Sequence, residues 1–250
     1  LRPANMAKYP AMRSRLVPLL LLAWLASAAA HAAQALQPWL DAAPAGGILR
    51  LPPGEYHGPA TISKPLTLDG NHQVILDGGG RGTVLTIRSD DVSVRGFHLR
   101  ASGDSHDAID GGIMAEGNRL RIEDNRIDDV LFGISLHRSR DSVIRNNRIR
   151  SRPVDSAERG DGLRLWYSSG NRIENNDIAQ IRDITVSNAT HNRFVGNRVR
   201  NSRRGLNFLF AHRTLVEGNL FEHNSTGIIA LNSDGLTIRR NRILHAMDPS

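Results

Sequence analysis

The residues in this sequence that are best suited to chemistry are histidines separated by the interval of an internal repeat. His223 and His245 lie 22 residues apart, and each stands four residues after an asparagine, Asn219 or Asn241. If residues about 22 apart overlie one another, the two imidazoles stack and can hold one metal ion. Neutral imidazole, together with the thioether of Met247, is a ligand set that copper accepts. The alternative is a pair of surface histidines without a ligand role.

Two further histidines are candidate metal ligands. His212 lies seven residues before Asn219, a position nearly equivalent to that of His191 in the preceding repeat. His106 lies in the polar run Gly103 to Asp107, which either binds a cation or forms a turn held by side-chain-to-backbone hydrogen bonds. The chain has no cysteine, which excludes disulfides, thiolate metal sites and cysteine nucleophiles. The cofactor that we predict for these imidazole and thioether ligands is copper.

No catalytic motif is recognisable, so we predict no catalytic residues and no enzymatic turnover. The sequence lacks Gly-x-Ser-x-Gly, His-Glu-x-x-His and a phosphate-binding loop. It also lacks a column of outward carboxylates that could hold a cation beside a base, as a lyase or epimerase acting on polyuronates requires. Two alternatives stay open, namely a carbohydrate-active protein that binds or cleaves polyuronates and a purely structural solenoid.

The elements that must position these residues belong to a repeat of about 22 residues. Matching segments are centred on asparagines whose spacings are 22, 29, 21, 22 and 22 residues: Asn125, Asn147, Asn176, Asn197, Asn219 and Asn241. The residues three before and two after each asparagine are all apolar. Short strands of this kind cannot bury themselves, but they can stack coil upon coil, about 4.8 Å apart. The asparagine column is then a ladder that stabilises turns.

The pattern predicts an all-β solenoid, a right-handed parallel β-helix of about nine coils. We expect an N-terminal cap over residues 33–47, with a short helix near Leu36 to Ala43, and coils from about Ile48 to Ser250. Ser151 to Arg159 is expected to be a loop inserted into one repeat. Because the chain stops soon after a complete repeat, we expect it to be truncated at the C-terminus.

Arginine supplies nearly all of the positive charge. The net charge is +7, and the two lysines are Lys8 and Lys64. The position after each repeat asparagine carries arginine in four of six repeats, and such a column either extends into water or meets an acidic macromolecule. We predict a docking surface for a protein partner, and no nucleic-acid partner. The four arginines of this column are Arg126, Arg148, Arg198 and Arg242.

The N-terminal segment resembles a signal peptide. Arg13 and Arg15 precede an apolar run from Leu16 to Leu25, and an alanine-rich stretch follows with small residues suited to cleavage after Ala30 or Ala32. We predict export to the periplasm and removal of residues 1–32, with an uncleaved membrane anchor as the alternative.

Five segments stand out beside the repeat: Leu51 to Tyr56, Lys64 to Gly70, Gly103 to Asp107, Leu131 to Ile134 and Arg159 to Ser168. In these segments the chain resembles the NosD family, the periplasmic β-helix maturation proteins of the copper enzyme nitrous oxide reductase. The resemblance covers roughly Leu36 to Ile243, and it implies the pectin-lyase-like form of the parallel β-helix.

The resemblance also implies a function and a set of partners. It implies a non-enzymatic protein that docks on a membrane ABC transporter, and on nitrous oxide reductase or its copper chaperone, and that assists copper-site assembly. Such a protein is peripheral to the membrane through the transporter. Trp166 and Tyr167 lie in one of the motifs that carry the resemblance and join the arginines as candidate docking residues.

Overall fold

The chain winds into a parallel β-helix. The structure is a computed structural model and describes residues 34–246. Its short strands pair in parallel over about ten turns with almost no helix, which confirms the fold class. The signal-peptide prediction and Met247 lie outside the described residues.

Each complete turn contributes one strand to each of three faces. Face 1 contains β2 (Ile48–Arg50), the first part of β5 (Leu66–Asp77), the first part of β7 (Val92–Arg100), β9 (Arg121–Glu123), β12 (Val143–Arg145), β15 (Arg172–Glu174), β18 (Arg193–Val195), β21 (Leu215–Glu217) and β24 (Thr237–Arg239). Face 2 contains β1 (Gln34–Ala35), β3 (Gly54–His57), the second parts of β5 and β7, β10 (Arg126–Val130), β13 (Arg148–Ser151), β16 (Asp177–Ala179), β19 (Arg198–Arg200), β22 (Leu220–Glu222) and β25 (Arg242–Leu244). Face 3 is a separate eight-stranded sheet of β4 (Ala60–Ile62), β6 (Leu85–Ile87), β8 (Gly111–Ala115), β11 (Phe132–His137), β14 (Leu163–Trp166), β17 (Ile184–Thr190), β20 (Arg204–His212) and β23 (Thr226–Leu231).

The interior consists of apolar columns that run along the axis of the solenoid. The residues three before and two after the repeat asparagines are paired from coil to coil, as the 22-residue interval predicts. Between the columns Phe194 and Phe208 pack edge to face, with ring centroids 6.0 Å apart. The two columns extend to Ile238 and Ile243, which are about half exposed because they belong to the last coil that the structure describes.

The asparagine ladder turns the chain from face 1 to face 2. From Asn147 to Asn241, each asparagine of the ladder accepts hydrogen bonds through its side-chain oxygen from the asparagine one coil earlier, and donates through its side-chain nitrogen to a carbonyl of that earlier coil. Asn125, the first of the ladder, accepts from the backbone nitrogen of Phe97. The residue before each asparagine of the ladder has a positive φ, which is why Gly196 and Gly218 stand there in two coils. The ladder therefore fixes the register of successive coils from Asn125 onward.

The N-terminal end is covered by α1 (Gln37–Ala42), which buries Leu40 against the first coils. Strand pairing begins earlier than the expected Ile48, because Gln34 and Ala35 pair with Tyr56 and His57. The expected loop lies between β13 and β14. In the part of the chain that the structure describes, we find no helix with the length and hydropathy that crossing a membrane requires.

Candidate functional site

His223 and His245 form a stacked pair, as the repeat predicts. Their ring centroids are 4.8 Å apart and their planes differ by 10°. Each follows a face 2 strand and adopts the left-handed conformation, with φ values of 52° and 51°. The equivalent turn residues are Gln180 and Asn201, also with positive φ. Because histidine tolerates this conformation better than most residues, the stack follows directly from the turn geometry.

His212 and His106 lie elsewhere on the solenoid. His212 ends β20 on face 3, and its Nδ1 accepts a hydrogen bond from the backbone nitrogen of Asp234 at 3.1 Å. His106 lies before β8, where its ring packs edge to face against Phe132 and its Nε2 lies 3.1 Å from the carbonyl oxygen of Glu158. The structure thus brings together His223 and His245, and it places His212 and His106 in two other environments.

The four predicted arginines do occupy one column on face 2, but two of them are paired with carboxylates. Arg126 contacts Asp128, and Arg198 contacts Glu222 at 2.7 Å. Arg148 and Arg242 are exposed and make no ion pair among the residues that the structure describes. Asp177 and Leu220 interrupt the column. Face 2 is therefore less uniformly basic than the sequence suggests.

Trp166 and Tyr167 lie on face 3, away from the arginine column. The two rings pack edge to face at 5.5 Å, and the guanidinium of Arg164 lies over the Trp166 ring at 5.0 Å. The two groups of predicted docking residues consequently belong to different surfaces. On face 3 sequence reasoning missed three apolar residues, of which Phe210 and Leu231 are exposed and Leu209 is half-buried. The signal that could have found Phe210 is its spacing, 43 residues after Tyr167, which is two repeats.

A cleft of about 460 Å³ adjoins the same face at its N-terminal side. It is lined by Thr86, Met114, Ser135 and Arg164 of successive strands and closed on one side by the segment that ends at Asp110. The hydroxyl of Ser135 is buried and has no hydrogen-bond partner within the described residues. Sequence reasoning missed this cleft because it depends on how the segment before β8 folds over the sheet.

Two buried carboxylates lie at the turn that leads into face 3. Asp161 is within 3.2 Å of Arg182, and Asp183 is paired with Arg203. Burial raises the pKa of Asp161, and the nearby charge of Arg182 offsets this only in part. Because each aspartate is held by an arginine of the following coil, these groups tie neighbouring coils together.

These features define a parallel β-helix protein with an open face 3 and an ion-paired face 2. In fold it is similar to the A-module of the Azotobacter vinelandii mannuronan C-5 epimerase AlgE6, with a TM-score of 0.54 over 80% of this chain and 66% of that one. The sequence identity is 14%, so the likeness shows the fold alone.

The resemblance to the NosD family is confirmed. Residues 146–248 match the family described as "Periplasmic copper-binding protein (NosD)" and are placed in it by that match. The chain is 34% identical over 137 residues to the "Probable ABC transporter binding protein NosD" of Stutzerimonas stutzeri, which covers 54% of this chain and 31% of the relative. It is 33% identical over 177 residues to the protein of the same name in Pseudomonas aeruginosa, and this match covers 68% of this chain and 40% of the relative. The chain thus spans less than half the length of these relatives.

The described residues do not form a complete copper centre. Within residues 34–246 no three His, Cys, Asp or Glu side chains are grouped as metal ligands. The stacked histidines supply two imidazoles, but their planes are nearly parallel. Since the nitrogen lone pairs lie in the ring planes, those of the two rings lie in nearly parallel planes and do not converge on one ion. A metal-binding role for His223, His245, His212 and His106 stays a prediction from the sequence.

Proposed function

We propose that this chain belongs to a periplasmic accessory protein that assists copper-site assembly in nitrous oxide reductase without turnover of its own. In this role it docks on the subunits of an ABC transporter and on the reductase or its copper chaperone, and it is peripheral to the membrane through the transporter. The observation that supports the proposal is the match of residues 146–248 to NosD, together with two relatives named as ABC transporter binding proteins.

The geometry suits docking because the solenoid is a rigid scaffold with long, regular faces. The asparagine ladder and the stacked core fix the coils relative to one another, so residues many positions apart in sequence present one continuous surface. Such surfaces are the usual binding sites of solenoid proteins. Export by the predicted signal peptide would bring these faces to the periplasmic side of the transporter.

The test is a binding measurement between the exported chain and the transporter subunits in lipid nanodiscs. We expect saturable binding with a Kd in the micromolar range or tighter, and no binding to an unrelated ABC transporter. A parallel incubation with alginate, followed by ultraviolet absorbance of unsaturated products, examines the enzymatic alternative. Absence of transporter binding, or steady formation of unsaturated products, would overturn the proposal.

A further inference from the structure

Face 3 carries a row of exposed and half-buried apolar side chains over four successive coils. Trp166, Leu209 and Leu231 occupy one register position, in which Ser187 stands between Trp166 and Leu209. Trp166 and Leu209 are half-buried and Leu231 is exposed. Tyr167 and Phe210 occupy the next position, where the backbone φ is positive. We call the five apolar residues the apolar ridge: Trp166, Tyr167, Leu209, Phe210 and Leu231. Three coil spacings of about 4.8 Å give it a length of about 14 Å.

Two residues of the apolar ridge stand where folding favours another residue type. Tyr167 and Phe210 have φ values of 51° and 50°, a conformation that is unfavourable for bulky side chains. The intervening and following coils have Asn188 and Asn232 at this turn position, with the same conformation. Asparagine is among the residues that tolerate it best. The two aromatic rings are therefore not explained by the local turn.

The exposure of these apolar side chains to water is a second unfavourable feature, independent of the backbone conformation. Tyr167 is 52% exposed, Phe210 46% and Leu231 54%, whereas the aromatic residues of the interior are fully buried. An exposed cluster of large apolar side chains on a protein commonly marks a site of protein–protein contact. Strain and exposure at the same residues point to selection for binding and not for folding.

The charge around the apolar ridge is also distinctive. None of β14, β17, β20 and β23 contains Asp or Glu. Arg204 on β20 lies 3.7 Å from the buried Asp183, so the positive charge beside the apolar ridge is that of Arg164 on β14, which lies over Trp166. In contrast, faces 1 and 2 are crossed by ion pairs such as Glu123 with Arg145 and Asp177 with Arg150. The surface complementary to face 3 is thus apolar and flanked by carboxylates.

We propose that the apolar ridge docks a segment of a partner protein that presents apolar side chains flanked by Asp or Glu. The inference rests on the proposed function, since it names the face by which docking occurs. A membrane surface fits less well, because binding to anionic lipid takes a cluster of about four to eight basic residues. A second copy fits less well because two copies of this face would oppose their arginines without carboxylates.

The first test replaces the two aromatic residues with the residue of the neighbouring coils. We expect Tyr167→Asn together with Phe210→Asn to weaken binding to the transporter in nanodiscs by at least about tenfold, as for buried aromatic anchors. The Tm of the double variant should be no lower than that of the wild type, because asparagine tolerates the positive φ at these two positions. The matched control on face 1 is Arg193→Ala, at an exposed position of β18, which should bind as the wild type does. Loss of binding in the control with full binding by the double variant would overturn the inference and leave the proposed function standing.

The second test identifies the occupant. A p-benzoylphenylalanine side chain is placed at position 210, cross-linked in the periplasm, and the attached peptide is sequenced. We expect a protein segment with apolar residues flanked by Asp or Glu, and loss of the cross-link in Arg164→Glu. Such a segment from the transporter, the reductase or its copper chaperone would support both proposals, whereas one from any other protein would sustain the inference and contradict the proposed function. A cross-link to lipid, to a glycan or to a second copy, or none at all, would overturn the inference.

Discussion

The side-chain oxygen of Asn147 accepts two hydrogen bonds from Asn125, one from the backbone nitrogen at 3.0 Å and one from the side-chain nitrogen at 3.1 Å. Asn147 in turn donates through its own side-chain nitrogen to the carbonyl oxygen of Ile122 at 2.8 Å. One buried side chain thus satisfies three polar groups of the preceding coil. The same arrangement recurs along the ladder, which makes it a main support of the turn between faces 1 and 2.

Replacing a ladder asparagine should be strongly destabilising. In Asn147→Ala the backbone nitrogen of Asn125 and the carbonyl oxygen of Ile122 lose their partner in a buried position. We expect a loss of about 2–4 kcal/mol in the free energy of unfolding, measured by urea titration. The control is Asn146→Gly at the adjacent exposed position, where φ is 56° and glycine is tolerated. Equal losses in both variants would mean that the ladder bonds contribute little.

Replacing phenylalanine with alanine should lower the free energy of unfolding strongly in the interior and hardly at all on the apolar ridge. Phe208 is fully buried against Phe194, so Phe208→Ala should cost about 3–5 kcal/mol. Phe210 is two residues further along the same strand but half exposed, so Phe210→Ala should change stability by less than about 0.5 kcal/mol. Thermal unfolding of the two variants compares them. A large loss in Phe210→Ala would assign that ring to the core.

The columns were predictable from the sequence because coil stacking imposes a strict interval. Ile144 overlies Ile122 and Val216 overlies Phe194, as the spacing indicates. These residues are recognisable in the sequence because a buried column tolerates only apolar side chains. The first coils were harder to predict, because Gly70 and Gly96 replace the asparagine and the register shifts between Asp69 and Val74.

The site was predictable only in part. The stack of His223 on His245 follows from the interval alone. Which face each residue occupies depends on where each coil turns, and the sequence does not state this. The separation of Trp166 from Arg148, and the exposure of Phe210, therefore required the structure.

Acid should weaken the fold as the paired carboxylates become protonated. The hydrogen bond from Arg172 lowers the pKa of Glu174 below its ordinary value of 4.5, although burial opposes it. The folded state therefore binds this proton less readily than the unfolded chain. The stabilisation is complete above pH 4.5 and is lost as the pH falls through the lower pKa of the folded state.

The variant Glu174→Gln isolates this contribution. Its stability relative to the wild type, from urea titrations between about pH 6 and pH 3, should show a deficit that shrinks as the pH falls below about 4.5. A deficit that stays constant over that range would show that ionisation of Glu174 does not contribute.

The histidine stack should bind cuprous ion weakly. Two imidazoles with parallel planes must rotate before both nitrogens can reach one ion, so we expect an affinity no tighter than micromolar under reducing conditions. His245→Ala should reduce it, while His106→Ala should leave it unchanged. Competition against a colorimetric cuprous chelator measures both. Tight stoichiometric binding that survives His245→Ala would place the copper ligands elsewhere.

Hydrogen–deuterium exchange of the exported chain, with and without the transporter in nanodiscs, tests directly whether face 3 docks on the transporter. We expect slower exchange in residues 163–167, 204–212 and 226–231 when the transporter is present, with residues 148–151 and 198–200 unaffected. Slower exchange confined to those two face 2 segments, or no change anywhere, would contradict docking by face 3.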